Sequence, residues 1–349
     1  KEVLNMEKYA SHIIFSPKEA KYINKLDKKD SFYFDTRDDP SLSNWESKDR
    51  SSQHILLHKP TKYELKNIQN DMEIAKELLI ITDSYEKAKN IQNIVYASTL
   101  LFNPTTGNEN KSPTFLHKLK DEPVVLEDYY KQQIKENILL SSLATLRAWN
   151  HLETIYSLEK LRFSIELDHI SPHSAHPIYG QKFLNFYPEY RTHVNIGYSI
   201  YIAYSIIEEL GLEIRSSQKN PRFKDEKWNP KVKKDIIKRL NETGIKEDDS
   251  IYWLQRGEPT EIQKNIEPKM GTKSEYNNLK DVRDIKLRIF EALHYASYIR
   301  NFFVAHKFDE ITKYLSPYDV YNIQRLARFL LQGKLGFLNK DTEQIIQNL

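Results

Sequence analysis

Glycine and proline are scarce and clustered, and this constrains the fold more than any other feature of the sequence. The 349 residues include 9 glycines and 14 prolines. Three long segments contain neither residue: Thr61–Asn103, Val124–Ser171 and Thr272–Ser316. Strand-rich domains turn about every 8–12 residues, and their turns need more glycine and proline residues than this chain contains. The sequence therefore predicts an all-α protein.

Apolar residues recur at helical spacing within and between these segments. One stripe from Leu65 to Leu79 predicts a helix over that range. A second helix is predicted from Tyr85 to Val95, capped by the polar residues Thr82 to Ser84. One or two further helices are predicted over residues 139–161, and another over 317–333. A helix over 198–210 is predicted to be buried nearly all round and to end at Gly211.

The length of the chain suggests two domains. The stretch Asn103–Glu122 contains prolines and a glycine, and it predicts a boundary near residue 120. We expect residues 1–120 to form a mainly helical accessory or sensing region, and residues 121–349 to form a helical domain.

Composition excludes several classes of function. Cysteine is absent, which excludes disulfides, zinc knuckles and thiol catalysis. The net charge of +3 excludes a strongly basic coat for duplex DNA. No stretch reaches the roughly eighteen apolar residues of a membrane span, and the N-terminal residues lack the apolar segment of a signal peptide. We therefore expect a soluble, cytoplasmic protein that does not contact membranes.

A charged residue interrupts an apolar helical stripe in the C-terminal part. The stripe runs from Ile289 to Phe303, and Arg300 falls near its centre. An unpaired buried cation is costly, so Arg300 needs a carboxylate, a phosphate or a solvent-filled cleft. His306 follows six residues later, roughly 120° around an ideal helix. Either the helix ends between Arg300 and His306, or a second chain completes the site.

The residues Arg300–His306, RNFFVAH, resemble the signature of HEPN-domain ribonucleases. That signature is an arginine, usually followed by a polar residue such as asparagine, and a histidine after four to six intervening residues; here five intervene. Tyr198–Leu315, with its apolar helix, polar insertion and WLQRG (Trp253–Gly257), is similar in layout to HEPN proteins of the anti-phage type. The resemblance covers about residues 125–335.

The resemblance implies an antiparallel helical bundle, preceded here by the N-terminal helical accessory region. It implies that two bundles pair around a two-fold axis, and hence a homodimer. It also implies metal-independent RNA cleavage without a cofactor, in bacterial anti-phage defence or a toxin system. The expected partners are RNA, with tRNA as a candidate, and a phage-derived trigger or an antitoxin. Some family toxins carry a partner-modified tyrosine two positions after the histidine. Phe308 stands there in this chain, which argues against that control.

Arg300, Asn301 and His306 are the predicted catalytic residues. In metal-independent cleavage the RNA 2′-hydroxyl attacks the adjacent phosphorus, so DNA is spared. His306 can move protons near neutral pH, and Arg300 offers a planar fork to the phosphate oxygens. Asn301 can orient either group. Glu208 and Glu209, at the end of a predicted helix, are candidate supporting residues.

Some basic residues are weaker candidates for contact with the RNA backbone. They lie on one helical face and in WLQRG: Lys231, Lys233, Lys234 and Arg256. A second arginine–histidine pair, Arg288 and His294, has the same spacing as Arg300 and His306. It lacks the asparagine, and Arg288 is off the apolar stripe. We interpret this pair as a chance match.

Two other functions remain open. The first is a non-catalytic helical module that binds RNA or a protein partner, in which Arg300 pairs with a carboxylate such as Glu208, Glu209 or Asp284. The second is a metal-dependent hydrolase, because imidazole and carboxylate groups suit zinc. Its candidate ligands lie in one loop: Asp168, His169, His173 and His176. A surface loop explains these residues better, so no metal ligand is assigned.

Overall fold

The computed structural model describes residues 6–38, 76–102, 116–119, 135, 137–167, 190–225, 227–256, 282–304 and 317–339. These residues divide into two compact units, one up to Arg147 and one from Ala148 onward. The predicted boundary near residue 120 lies outside the described residues.

A four-stranded antiparallel sheet forms the centre of the first unit. Its strands are β1 (Glu7–Phe15), β2 (Phe32–Asp38), β3 (Lys76–Thr82) and β4 (His117–Lys118), in the spatial order β2-β3-β1-β4. The helices are α1 (Pro17–Ile23), α2 (Tyr85–Phe102) and α3 (Ile138–Ala148), which ends at the border between the units. Helix α2 packs against β3 and β1, so the core of this unit lies between helix and sheet.

Strand β3 explains why one predicted helix is wrong. It reads KELLIIT, and every residue from Glu77 to Thr82 is buried. A strand covered on both faces carries a continuous apolar run rather than an alternating one. Such a run also supplies the positions of a helical stripe. The predicted helix over Leu65–Leu79 is therefore wrong from Lys76 onward, and residues 65–75 lie outside the described residues.

A β-bulge in β1 lies beside a partly buried ion pair between Glu77 of β3 and Arg37 of β2. The register with β3 shifts between Ala10 and Ile14, and His12 within the shift has a φ of 58°. The backbone N–H of His12 donates to the Glu77 carboxylate at 2.9 Å. Arg37 donates to the same carboxylate from Nε and Nη2, each at 2.6 Å. The buried charge of Glu77 is thus compensated by three donors.

The second unit combines five described helices with two small antiparallel sheets. In chain order its elements are α4 (Leu152–Leu167), α5 (Tyr190–Glu209), β5 (Phe223–Lys224), β6 (Lys227–Trp228), α6 (Pro230–Glu242), β7 (Ser250–Arg256), β8 (Val282–Arg288), α7 (Ile289–Ile299) and α8 (Pro317–Lys334). A π-helical turn over 300–304 follows α7 directly. Strand β5 pairs with β6, and β7 pairs with β8.

Helices α4, α5 and α8 pack on one another, and α7 packs against α8 and β7. Asn322 of α8 joins helix to strand, because its side chain accepts from the Leu254 N–H at 2.8 Å and donates to the Leu254 carbonyl at 2.7 Å. Trp253 of β7 lies in the same core with 2% of its surface exposed. None of the described helices has the length and apolar composition needed to cross a bilayer.

Helix α5 confirms one sequence prediction and corrects part of it. Gly211 follows the helix with a φ of 67°, and its N–H donates to the Glu208 carbonyl at 2.9 Å. The predicted C-cap is therefore confirmed. The prediction that this helix is buried nearly all round is wrong, since Tyr198 and Tyr201 are 60% and 47% exposed.

The protein is a mixed α/β protein. The predicted all-α helical bundle with an N-terminal helical accessory region is therefore wrong. Two strands run into helices without glycine or proline: β3 ends three residues before α2, and β8 ends immediately before α7. A strand that leads directly into a helix needs only a residue that caps the helix N-terminus. A scarcity of glycine and proline therefore does not exclude strands. The helices predicted at 85–95, 139–161 and 317–333 are confirmed as α2, as α3 with α4, and as α8.

Candidate functional site

Arg300 lies where α7 passes into the π-helical turn. Its backbone N–H reaches the carbonyls of both Ala296 and Ser297, a bifurcated bond of the kind found where a helix changes geometry. Short π-helical turns often occur at functional sites. The ideal-helix angle between Arg300 and His306 therefore does not apply, because the intervening residues 300–304 leave the α-helical path. His306 itself lies outside the described residues.

Polar and aromatic groups surround the Arg300 guanidinium. Its Nη1 donates to Asn301 Oδ1 at 3.0 Å, and its Nη2 lies 3.5 Å from Glu208 Oε1. The rings of Tyr201 and Tyr204 lie 5.9 and 5.8 Å from the guanidinium carbon, within range of a cation–π interaction. The Nε atom is buried and bonds to no described group. The guanidinium therefore keeps donor capacity for another acceptor.

The structure brings Arg300, Asn301 and Glu208 together, and it separates Glu209 from them. Glu209 Oε2 accepts from Lys160 Nζ at 2.6 Å, which makes it a salt-bridge residue of α5 and α4. The Arg300–Glu208 pair is weaker, because it is longer and the two side chains are 27% and 41% exposed. Exposed pairs of this kind contribute about 0–1 kcal/mol. Glu208 therefore compensates the charge of Arg300 only in part.

A second arginine enters the same region from the residue before β5. Arg222 Nη1 lies 2.8 Å from His294 Nδ1, and its Nη2 donates to Ser297 Oγ at 2.9 Å. Because arginine has no acceptor, Nδ1 of His294 must accept, and the ring proton lies on Nε2. Burial lowers the pKa of Arg222. Arg222 is absent from the predicted site, since nothing in its loop sequence distinguishes it.

Tyr204 connects the two arginines. Its hydroxyl hydrogen-bonds with Ser297, and both Arg222 and Arg300 are close enough to act on it electrostatically. Burial raises the pKa of the Tyr204 hydroxyl, and the nearby cations act in the opposite direction. The described site is therefore a continuous polar cluster that runs from Glu208 and Arg300, past Tyr204 and Ser297, to Arg222.

Aromatic packing fixes the imidazole that holds Arg222. His294 is 5% exposed, and its ring centroid lies 4.7 Å from that of Phe223 and 5.7 Å from that of Trp228. Arg288, which has the same spacing to His294 as Arg300 has to His306, donates instead to Glu291 at 2.8 Å. Thus His294 bonds to Arg222 and not to Arg288.

Helix α6 carries most of the predicted basic face. Its side chains alternate between the core and solvent at helical spacing, and the buried ones are Val232, Ile236 and Leu240. Lys231 and Lys234 are exposed, whereas Lys233 pairs with Glu247 at 2.7 Å. Arg256 is the last residue of β7. The structure thus leaves two of the three predicted lysines without a carboxylate partner among the described residues.

The predicted alternative metal loop, with His169, His173 and His176, lies outside the described residues. Within the described ranges, no group of three or more histidine, aspartate and glutamate side chains is arranged to hold a metal ion.

Comparisons of the chain with protein-family models, curated proteins and solved structures found no match. The resemblance to HEPN ribonucleases therefore depends on RNFFVAH and on the layout of the surrounding sequence.

Proposed function

We propose that this protein is a metal-independent endoribonuclease in which Arg300 and His306 act on the scissile phosphate of RNA. The 2′-hydroxyl attacks the adjacent phosphorus, the bond to the 5′-oxygen breaks, and the products are a 2′,3′-cyclic phosphate and a 5′-hydroxyl. Arg300 stabilises the charge that builds on the phosphate oxygens. His306 transfers protons, and Asn301 orients the guanidinium through its 3.0 Å hydrogen bond.

The environment of Arg300 carries this proposal. The guanidinium is mostly shielded from solvent, has one long ion pair, and keeps a buried Nε with no partner among the described residues. A side chain with a purely structural role would normally satisfy its buried donors. A phosphate supplies several strong acceptor oxygens in a geometry that matches the arginine fork.

We expect the active form to be a homodimer, because in the family that the motif resembles two domains pair and bring two such motifs together. Several large apolar side chains of α4 and α5 are exposed, and we call this set the α4–α5 face; one of them, the ring of Tyr201, lies 5.9 Å from the Arg300 guanidinium carbon. Its residues are Leu152, Tyr156, Phe163, Val194, Tyr198 and Tyr201, with exposures from 39% to 69%. Large exposed apolar side chains on neighbouring helices are typical of an interaction surface. Light scattering that detects only an active monomer at micromolar concentration would refute the dimer.

The biological setting follows from the resemblance alone. We propose a cytoplasmic role in bacterial anti-phage defence or in a toxin system. RNA, with tRNA as a candidate, is the substrate, and a phage-derived trigger or an antitoxin controls activity. No cofactor is required in this mechanism, so RNA cleavage should survive EDTA.

Substitution of the two motif residues tests the proposal. His306→Ala should reduce RNA cleavage by at least about 10²-fold, as expected for a general acid–base residue. Arg300→Ala should be comparably damaging, and the double variant should be far from additive. Thermal melting and light scattering on the same variants serve as controls. Wild-type cleavage by variants that melt and assemble normally would refute the catalytic role.

The second candidate is a non-catalytic helical module that binds RNA or a protein partner. The α4–α5 face favours it, because exposed aromatic rings stack on bases and also dock proteins. His306→Ala separates the two functions. A binding module would keep its affinity for RNA, and neither the wild type nor the variant would cut it.

A further inference from the structure

Arg222 is held firmly but lacks a compensating charge in the part of the chain that the structure describes. Its two bonds go to neutral groups, the imidazole of His294 at 2.8 Å and the hydroxyl of Ser297 at 2.9 Å. Both anchors are themselves buried, with exposures of 5% and 2%. Removing a guanidinium from water is costly unless a charge or strong acceptors replace the lost solvation. The pKa of Arg222 is lowered by this burial.

The position of Arg222 relates it to the proposed catalytic centre. Ser297, which anchors it, precedes Arg300 by three residues, so the two lie on the same side of the helix one turn apart. Tyr204 contacts Ser297 and lies in the electrostatic field of both arginines. The described cluster contains two guanidinium groups and one carboxylate, Glu208, which lies 3.5 Å from Arg300. Its net charge is therefore positive.

We infer that Arg222 is a second phosphate-binding residue, which holds a backbone phosphate of the RNA next to the one that Arg300 contacts. This inference rests on the proposed function for the identity of the ligand as a ribonucleotide chain. His294 and Ser297 are positioning residues. They accept one hydrogen bond each from Nη1 and Nη2 of Arg222, and together these bonds fix the plane of the guanidinium. Arg222 retains three of its five N–H donors for phosphate oxygens.

A fixed arginine suits this task for two reasons. A guanidinium immobilised before binding loses little rotamer entropy when the phosphate arrives. A phosphate also provides the negative charge that the described neighbours of Arg222 lack. Two clamped phosphates would fix the direction of the RNA strand through the site, and a single arginine cannot do this.

The salt dependence of binding to single-stranded nucleic acid measures this contact directly. The probe is a fluorescein-labelled single-stranded 2′-O-methyl RNA, whose blocked 2′-oxygen prevents the proposed cleavage. Fluorescence anisotropy over a range of salt concentrations gives log Kobs against log[salt], with a slope of about −0.7 for each neutralised phosphate. Arg222→Gln is compared with wild type, and Arg288→Gln is the control, since Arg288 is already paired with Glu291.

We expect Arg222→Gln to bind at least about tenfold more weakly at low salt and to reduce the magnitude of the slope by about 0.7. Arg288→Gln should match wild type in both. A wild-type slope and affinity for a folded Arg222→Gln protein would overturn the inference, as would failure of the wild type to bind the probe. If the predicted slopes are found but unmodified RNA is not cleaved, the phosphate site stands and the proposed function fails.

Arg222→Lys keeps the test decisive if the glutamine variant does not fold. Lysine retains the charge but lacks the fork that meets His294 and Ser297 together. A wild-type slope with at least threefold weaker binding would support the phosphate contact. A wild-type affinity would overturn it.

Discussion

Replacing Glu208 with glutamine removes the carboxylate that lies 3.5 Å from Arg300 Nη2. If Arg300 binds a phosphate, the Glu208 carboxylate repels that phosphate. Glu208→Gln should therefore strengthen RNA binding. Glu209→Gln is a matched control, because the neighbouring residue has similar exposure (35% against 41%) and pairs with Lys160 instead.

The size of the effect follows from Coulomb's law. A phosphate on Arg300 would lie about 5 Å from the Glu208 carboxylate, which gives a repulsion of about 0.8 kcal/mol at the dielectric constant of water and about 3 kcal/mol at a value near 20. The exposure of Glu208 favours the lower figure, which corresponds to about fourfold tighter binding. The loss of the exposed ion pair should lower the free energy of unfolding by about 1 kcal/mol or less.

Anisotropy titrations with the uncleavable 2′-O-methyl RNA, at low and at moderate salt, measure both variants against wild type. The gain for Glu208→Gln should shrink as salt rises, because screening weakens the repulsion. Glu209→Gln should change binding less than Glu208→Gln. Unchanged or weaker binding by a folded Glu208→Gln protein would refute the placement of a phosphate on Arg300.

Other predictions concern the stability of the two units, each measured by urea denaturation. Glu77→Gln removes the buried negative charge that accepts from Arg37 and from the His12 N–H. Since hydrogen bonds to charged groups contribute about 1.5–3 kcal/mol, we expect a cost in that range; a cost under about 1 kcal/mol would contradict this. Burial lowers the pKa of His12 to about 4, below its unfolded value of about 6.5. The free energy of unfolding should therefore fall by about 3 kcal/mol as pH drops from 6.5 through 4. His12→Gln should flatten this profile, and an unchanged profile in that variant would contradict the assignment to His12. Asn322→Leu removes the hydrogen-bond partner of both the N–H and the carbonyl of Leu254. The free energy of unfolding should fall by about 2–5 kcal/mol, and a neutral effect would mean that other groups satisfy this N–H and carbonyl.

Local signals predict the helices of this chain well. Ser84 caps α2, with its hydroxyl accepting from the Lys87 N–H at 3.4 Å, and Gly211 ends α5 in the left-handed conformation. Each signal involves residues a few positions apart, so the sequence displays it directly. Strand β3 has no such signal, because burial of both its faces by distant residues removes the alternation that identifies a strand.

The candidate site is predictable only in part, for the same reason. The placement of Arg300 on an apolar stripe predicts that it needs a partner, and Glu208 is among the partners that the sequence suggests. Arg222 bonds to residues 72 and 75 positions away in the chain. Neither periodicity nor a short motif can predict a contact over such a distance in the chain. In the sequence, His294 is notable only because its spacing from Arg288 equals that of His306 from Arg300.

The chemical ends of the RNA products report whether the 2′-hydroxyl attacks the adjacent phosphorus. Wild-type protein is incubated with single-stranded RNA in EDTA, and with the same RNA carrying one 2′-deoxynucleotide on the 5′ side of the cleaved bond. We predict cleavage in EDTA, a 2′,3′-cyclic phosphate or 3′-phosphate end, and no cut at the deoxy position. A 3′-hydroxyl end, loss of activity in EDTA, or a cut at the deoxy position would contradict 2′-hydroxyl attack assisted by Arg300 and His306.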